Sequence, residues 1–383
     1  MKVNDKRFVS HQAGFTLVEL MIGMVIGLLA ALVIVQVLQL FETQKRSTTG
    51  SADAQTNGSI ALYNIGREVK VAGYPLMPTG LSGVADSPLE CTALRKNGTD
   101  GAAISLLSPV VITNGVAVAG VSPDSDTITI HYGTSQSGGI SSKVGNLAAG
   151  VANLETNFAC AEDDVSLAYD GDDCALSTIT AVTGTTNPMS VTLDDAAFTT
   201  GIAYPVGTNV ACLGRWDTVS YAVNQATGNL ERTLTDAAGV STVNPVVAGV
   251  VNLQAQYGIA SSVSSNQIVQ WVDATSGGTW DASTLAVADR NLIKAIRLAV
   301  VARNAKPETY AASAKCTQAV APATTTTGIC AWQDVPAAAP ITTASPAPVV
   351  DLSTGNANWA RYHYRVYETI IPLRNMIWSK DTL

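Results

Sequence analysis

Histidine is nearly absent: three in 383 residues, at His11, His131 and His363. His131 and His363 fall in strand-like segments and read as polar-face residues, not as a catalytic dyad. No G-x-S-x-G elbow, phosphate loop, dinucleotide fingerprint or H-E-x-x-H pair occurs. No C-x-x-C is present, which removes zinc ribbons and thiol redox chemistry. Charge is thin, 14% Asp, Glu, Lys and Arg with a formal net of −8. That balance argues against nucleic acid or an anionic lipid surface as a partner. No enzyme activity and no cofactor is expected.

One long stretch lacks charge altogether. From Leu20 to Phe41 there is no Asp, Glu, Lys or Arg, no proline, and only Gln36 and Gln39 as polar residues near the far end. About 22 residues span roughly 33 Å as a helix, enough to cross a bilayer's hydrocarbon core. The run is too long for a secretory signal peptide, and Gln36 to Glu42 offers no small-x-small cleavage site. An ordinary signal anchor explains everything except Glu19, because a carboxylate within a membrane helix costs about 2.5–3.5 kcal/mol and asks for a partner.

Gly14-Phe15-Thr16-Leu17-Val18-Glu19 resembles the cleavage site of type IV prepilins, in which a short charged leader ends in Gly, the next residue is usually Phe, and Glu is fifth in the mature chain. The resemblance implies cutting after Gly14 by a prepilin peptidase, methylation of the new amine at Phe15, and assembly through Glu19. A terminal ammonium on one helix would neutralise the buried Glu19 of a neighbour. The leader carries Lys2, Asp5, Lys6 and Arg7, so the formal −8 of the chain becomes −10 once this +2 is removed. These charges favour a cytoplasmic N-terminus in the bacterial inner membrane and an exported remainder, later on the pilus or cell surface.

Beyond the run, Ile60, Leu62, Ile65, Val69 and Ala72 keep a three-to-four spacing, which predicts one helix continuing to about Ala72. Gly50, Gly58 and Gly66 weaken it by roughly 1 kcal/mol each and leave it needing a sheet to lie on. Alternation then predicts strands at Thr127–Tyr132, Thr218–Val223 with Leu230–Leu234 as a hairpin, Val251–Tyr257, Lys294–Arg303 and Tyr362–Ile371, the last stopped by Pro372. The stretches Gly133 to Gly150 and Ala319 to Val350 read as loops with mobile tips. Ser82 to Leu213 is either a subdomain or a set of long insertions.

The expectation is an α+β fold: a leader 1–14, a pilin helix 15–73 with its transmembrane part at about 15–41, and a β-rich exported domain 74–383 on antiparallel sheet with long disulfide-pinned loops. Six cysteines, Cys91, Cys160, Cys174, Cys212, Cys316 and Cys330, suit an oxidising compartment. The local pairs Cys160–Cys174 and Cys316–Cys330 are favoured, which leaves Cys91–Cys212; the alternative is free buried thiols. Asp163, Asp164, Asp170, Asp172 and Asp173, with Glu162, could gather oxygens for calcium, but they miss the EF-hand spacing, and a solvated acidic loop is the blander reading. Six tryptophans could mark a sugar or partner surface, with core packing the default.

Arg67 to Tyr74, Val250 to Gly258, Ala295-Ile296-Arg297-Leu298 and Leu373-Arg374-Asn375, in that order, resemble PilW-type minor pilins. That resemblance implies a subunit that primes pilus assembly and sits at the tip, with other minor pilins and the major pilin as partners through the N-terminal helix. A J-type minor pseudopilin of type II secretion and a tip adhesin are the alternatives.

Overall fold

The computed structural model describes residues 14–76, 89–115, 124–148, 150–156, 160–170, 173–184, 189–194, 206–275, 277–283, 285–313, 328–332, 349–354 and 356–377. The chain divides into two compact units, Met1–Gly50 and Ser51–Leu383. Helix α1 covers Leu17–Val69. It persists through a stretch poor in helix formers, where the hydroxyls of Thr43, Thr48, Thr56 and Ser59 donate to carbonyls four residues back at 2.9–3.1 Å. In the first unit, every described residue up to Arg46 is exposed.

In the second unit, the buried helical residues are Ala54, Gly58, Ala61, Ile65, Gly66, Glu68 and Val69. The expected apolar face is thereby shifted. Ile60 is 41% exposed and Leu62 only partly buried, while small residues make the closest contact. A Cβ on Gly58 would overlap the ring of Tyr367, and one on Gly66 would come within 3.5 Å of Ile371 Cδ1. The glycines that weaken the helix are thus what lets a strand lie against it. The helix unwinds at Gly73, whose φ of +75° and nearness to the Pro109 ring exclude a side chain.

Strands β1 (Ala93–Lys96), β2 (Thr99–Asp100), β3 (Val110–Thr113) and β4 (Thr127–Gly133) follow. Next come β5 (Ser141–Ala148), β6 (Val151–Leu154), β7 (Val165–Asp170), β8 (Asp173–Thr183), β9 (Met189–Leu193) and β10 (Asn209–Gly214). These six pair antiparallel in the order β8-β7-β10-β5-β6-β9, and β9 pairs back onto the far half of β8. The result is a closed barrel. Each strand contributes to its interior, with Val144, Leu154, Ala168, Ile179, Val191 and Val210 among the side chains inside. The outer sides of β7, β8 and β10, through Leu167, Leu176 and Leu213, join the main core instead. Ser82 to Leu213 therefore contains a module with its own core, and the predicted loop Gly133 to Gly150 contains a strand.

The main core lies between α1 and two further sheets. Strands β11 (Trp216–Asn224), β12 (Asn229–Thr235) and β13 (Ser241–Ala248) form a five-stranded sheet with β4 and β3, in the order β13-β12-β11-β4-β3. Strands β14 (Val250–Ala260), β15 (Ile268–Val272), β16 (Ile293–Arg303) and β19 (Tyr364–Pro372) form the other, in the order β15-β14-β16-β19. A small hairpin of β17 (Gly328–Cys330) and β18 (Val349–Asp351) belongs to the core on the outer face of β14 and β16. The strands expected from alternation are all present, and Lys294–Arg303 is strand, not helix.

The cysteines pair differently from expectation. Cys91 bonds Cys174, and Cys160 bonds Cys212. The local pair Cys160–Cys174 is excluded because the two lie on opposite faces of one sheet: Cys174 points into the main core, whereas Cys160 and Cys212 pack in the barrel. The leftover pair Cys91–Cys212 fails for the same reason. Cys330 is also disulfide-bonded; Cys316 lies outside the described residues.

Candidate functional site

The segment that sequence chemistry singles out sits at the start of α1. Gly14, Phe15 and Thr16 precede the first helical turn, and Phe15 is 84% exposed. Among the described residues a Cβ on Gly14 would meet nothing within 4 Å, so they make no demand for glycine there. The same holds at Gly23 and Gly27, four residues apart on one helical face. Thr16 Oγ1 accepts the backbone N–H of Glu19 at 3.2 Å. That contact is one arm of a capping box, T-x-x-E, and places Glu19 in the first turn, where the helix dipole favours an anion. Thr16 was legible from its spacing to Glu19 but is easily passed over beside the cleavage pattern.

Glu68, in the last turn of α1, is a buried carboxylate of the second unit. Its Oε1 lies 2.9 Å from both Nε and Nη2 of Arg232 on β12. Burial and the Glu68 carboxylate together raise the Tyr221 phenol above its usual range. The pair fixes α1 on the five-stranded sheet, since separating it strands a charge inside the protein.

His131 is buried, not on a polar face. Its Nδ1–H donates to the Ser108 carbonyl at 2.7 Å, and the imidazole stacks on Trp216 at 6.4 Å. Burial pushes it down to about 4. His363 lies beside Glu308, with Nε2 3.5 Å from Oε1. Asp126 is buried and pushed up to about 7 by burial, with help from Asp124 and Asp273, against the pull of the N–H groups of Ala255 and Gly115. Of the calcium candidates, Asp163 and Asp164 occupy a turn in which Asp164 Oδ2 accepts from the Ala161 N–H at 3.1 Å. Asp170 pairs with Asp173 across β7 and β8, and Asp172 lies outside the described residues. Among the described residues no three His, Cys, Asp or Glu side chains cluster as for a metal. Trp271 and Trp332 clamp the Arg297 guanidinium at 5.0 and 4.4 Å from their ring centres, and Trp216 and Trp359 are buried; Trp280 is half-buried, and Trp378 lies outside the described residues.

Two family profiles match the chain. The prokaryotic N-terminal methylation motif covers residues 9–35, spanning Gly14 to Glu19. The family described as Type IV Pilus-assembly protein W covers residues 219–375, from within β11 to the short helix after β19. The chain is a type IV prepilin-like, PilW-like protein. The PilW-like region holds most of both sheets that carry α1, whereas the barrel falls outside it. No curated protein and no solved structure matches the chain. Its place is with minor pilins or assembly proteins related to the type IV pilus, its partners other pilins and the prepilin peptidase in general. The apolar helix behind the motif is long and apolar enough to cross a membrane, which is consistent with a membrane-anchored pilin.

Proposed function

We infer that this chain is a minor pilin that primes assembly of a type IV pilus and ends at or near its tip. The leader stays cytoplasmic, the peptidase cuts between Gly14 and Phe15, and residues 74–383 are exported. The subunit acts by binding, without catalysis. One observation carries this reading: the cleavage motif heads a helix whose apolar residues from Phe15 to Phe41 are exposed among the described residues, while the same helix is buried further on. Such a helix suits a lipid bilayer first and a bundle of like helices afterwards.

Mass spectrometry of the mature N-terminus, pilus counts in a deletion strain, and immunogold labelling of sheared pili test the reading together. Methylated Phe15, few pili without the subunit, and label confined to filament ends are expected. Loss of secreted enzymes with pilus number intact would instead assign the chain to type II secretion.

A further inference from the structure

Strand β13 is an open edge with few of the usual protections. Among the described residues it pairs only with β12, and Ser241 to Pro245 are exposed. It carries no charge, and Val243 is 55% exposed, with Val240 in the preceding turn at 62%. Edges left free in solution are normally guarded by lysines, bulges or a covering element. Here Pro245 and the bulge at Val246 beside it guard one end, and Ser241 to Asn244 are left without either. Proline is tolerated in a ladder where its nitrogen faces away from the partner strand. Pro245 sits opposite Glu231 and Val243 opposite Thr233, so alternation turns the N–H and C=O of Val243 to the open side as well.

The direction of this edge is fixed by its contacts with α1. Asn244 lies opposite Arg232, which holds Glu68, while a Cβ on Gly249, just past the strand, would lie 3.6 Å from Asn57 Nδ2. Eleven helical residues and five extended ones both span about 16 Å. Thus β13 runs alongside Asn57 to Glu68 and opposite in direction. The other flank carries β19, where Tyr367 meets Gly58 and Ile371 meets Gly66, so β19 runs in the helix direction. It too is an end strand among the described residues.

These directions select the occupant. Subunits inserted in one membrane by the same N-terminal segment share one polarity. Antiparallel pairing of β13 with a second β13 would set two α1 helices in opposite directions, which that polarity forbids. An antiparallel partner strand must therefore run with its own helix, as β19 does. A subunit built on this plan offers such an edge, and the contact is heterologous, as a filament requires. We propose that β13 is a docking edge that receives, antiparallel, the terminal edge strand of a neighbouring pilin subunit, the counterpart of β19. The proposal rests on the minor-pilin reading and names the contact that reading leaves open.

A photo-crosslinkable residue at Val240, in the full-length chain in its own cell envelope, tests it by peptide mass spectrometry of the adduct. The expected adduct lies in the terminal edge strand of a pilin-type subunit. Val243→Pro removes one outward N–H and Val243→Lys adds a charge to the edge; each should lower adduct yield about tenfold, with Val243→Thr near wild type. Processing and disulfide pairing of all three variants, read in parallel, verify folding. An adduct with β13 of another copy, with a protein that is not a pilin, or with nothing, in protein correctly processed at Phe15, overturns the docking edge and leaves the minor-pilin reading standing. A retained leader sinks both.

Discussion

Asp126 and His131, five residues apart, respond to pH in opposite senses. The Asp126 carboxyl is held at about 7, above its ordinary 3.8, so the folded state keeps a proton the unfolded chain releases. Its contribution to stability is complete below pH 4 and fades as pH rises to 7. His131, held at about 4 against an ordinary 6.5, contributes fully above 6.5 and loses that contribution as pH falls to 4. The two slopes offset each other between those limits. Asp126→Asn should therefore make the melting temperature drop on acidification from pH 6.5 to 4.5, by about 5 °C more than in wild type. Parallel profiles for the two proteins would rule this out. Neither burial was legible in the sequence, because Thr129-Ile130-His131-Tyr132 alternates as a half-exposed strand would. The outer side of β4 is covered there by Trp216 and by the Ser108 to Pro109 backbone, an arrangement that only long-range pairing creates.

At the scale of elements, Gly58 separates helix propensity from packing. Alanine in an exposed helix gains about 1 kcal/mol over glycine. At Gly58 a methyl group would run into the Tyr367 ring, so Gly58→Ala should destabilise by about 1–3 kcal/mol, the usual size of overpacking. In a Tyr367→Ala background the same change should stabilise. Chemical denaturation of the four proteins of this cycle reads the sign directly, and equal effects in both backgrounds would remove the ring from the explanation. Disulfides offer a second test at this scale. Non-reducing peptide maps should show Cys91–Cys174 and Cys160–Cys212, and removing the latter with two alanines should cost about 4 kcal/mol in the chain-entropy account. Strands such as β14, β16 and β19 were legible because bulky β-branched residues alternate along them. Those of the barrel were not. Ser141–Ala148 and Asn209–Gly214 are rich in alanine, serine and glycine, and small residues give alternation almost no contrast.

For the whole molecule, the minor-pilin proposal predicts that Glu19 separates anchoring from assembly. Glu19→Ala removes the costliest group of the membrane helix, so insertion of the isolated subunit should be unchanged or better. In a filament the neighbour's terminal ammonium would lose its partner, at a cost on the order of 3–5 kcal/mol. Crosslinking to partner pilins should fall for Glu19→Ala and for Glu19→Gln, and wild-type yields in both would leave charge pairing without support. Because Thr16 caps the same turn through its own oxygen, neither substitution should fray the helix start. Gly14→Arg is the complementary case: among the described residues nothing lies within 4 Å of a Cβ there, so an uncut leader would place the requirement for glycine in the peptidase.

The barrel enters and leaves the fold at a single rung. Gly133 and Trp216 face each other across β4 and β11, and every barrel strand lies in the chain between them. In effect, β4 and β11 are a hairpin whose turn has grown into a second fold. A turn can lengthen at little entropic cost, since closure grows only with the logarithm of length. The pairing of β1 with β8, the Cys91–Cys174 bond and the burial of Leu167, Leu176 and Leu213 in the main core tie the module down again. The barrel's interior and its strands β5, β6 and β9 are therefore free to change what the subunit presents, as long as the outer faces of β7, β8 and β10 keep filling the frame that grips the helix.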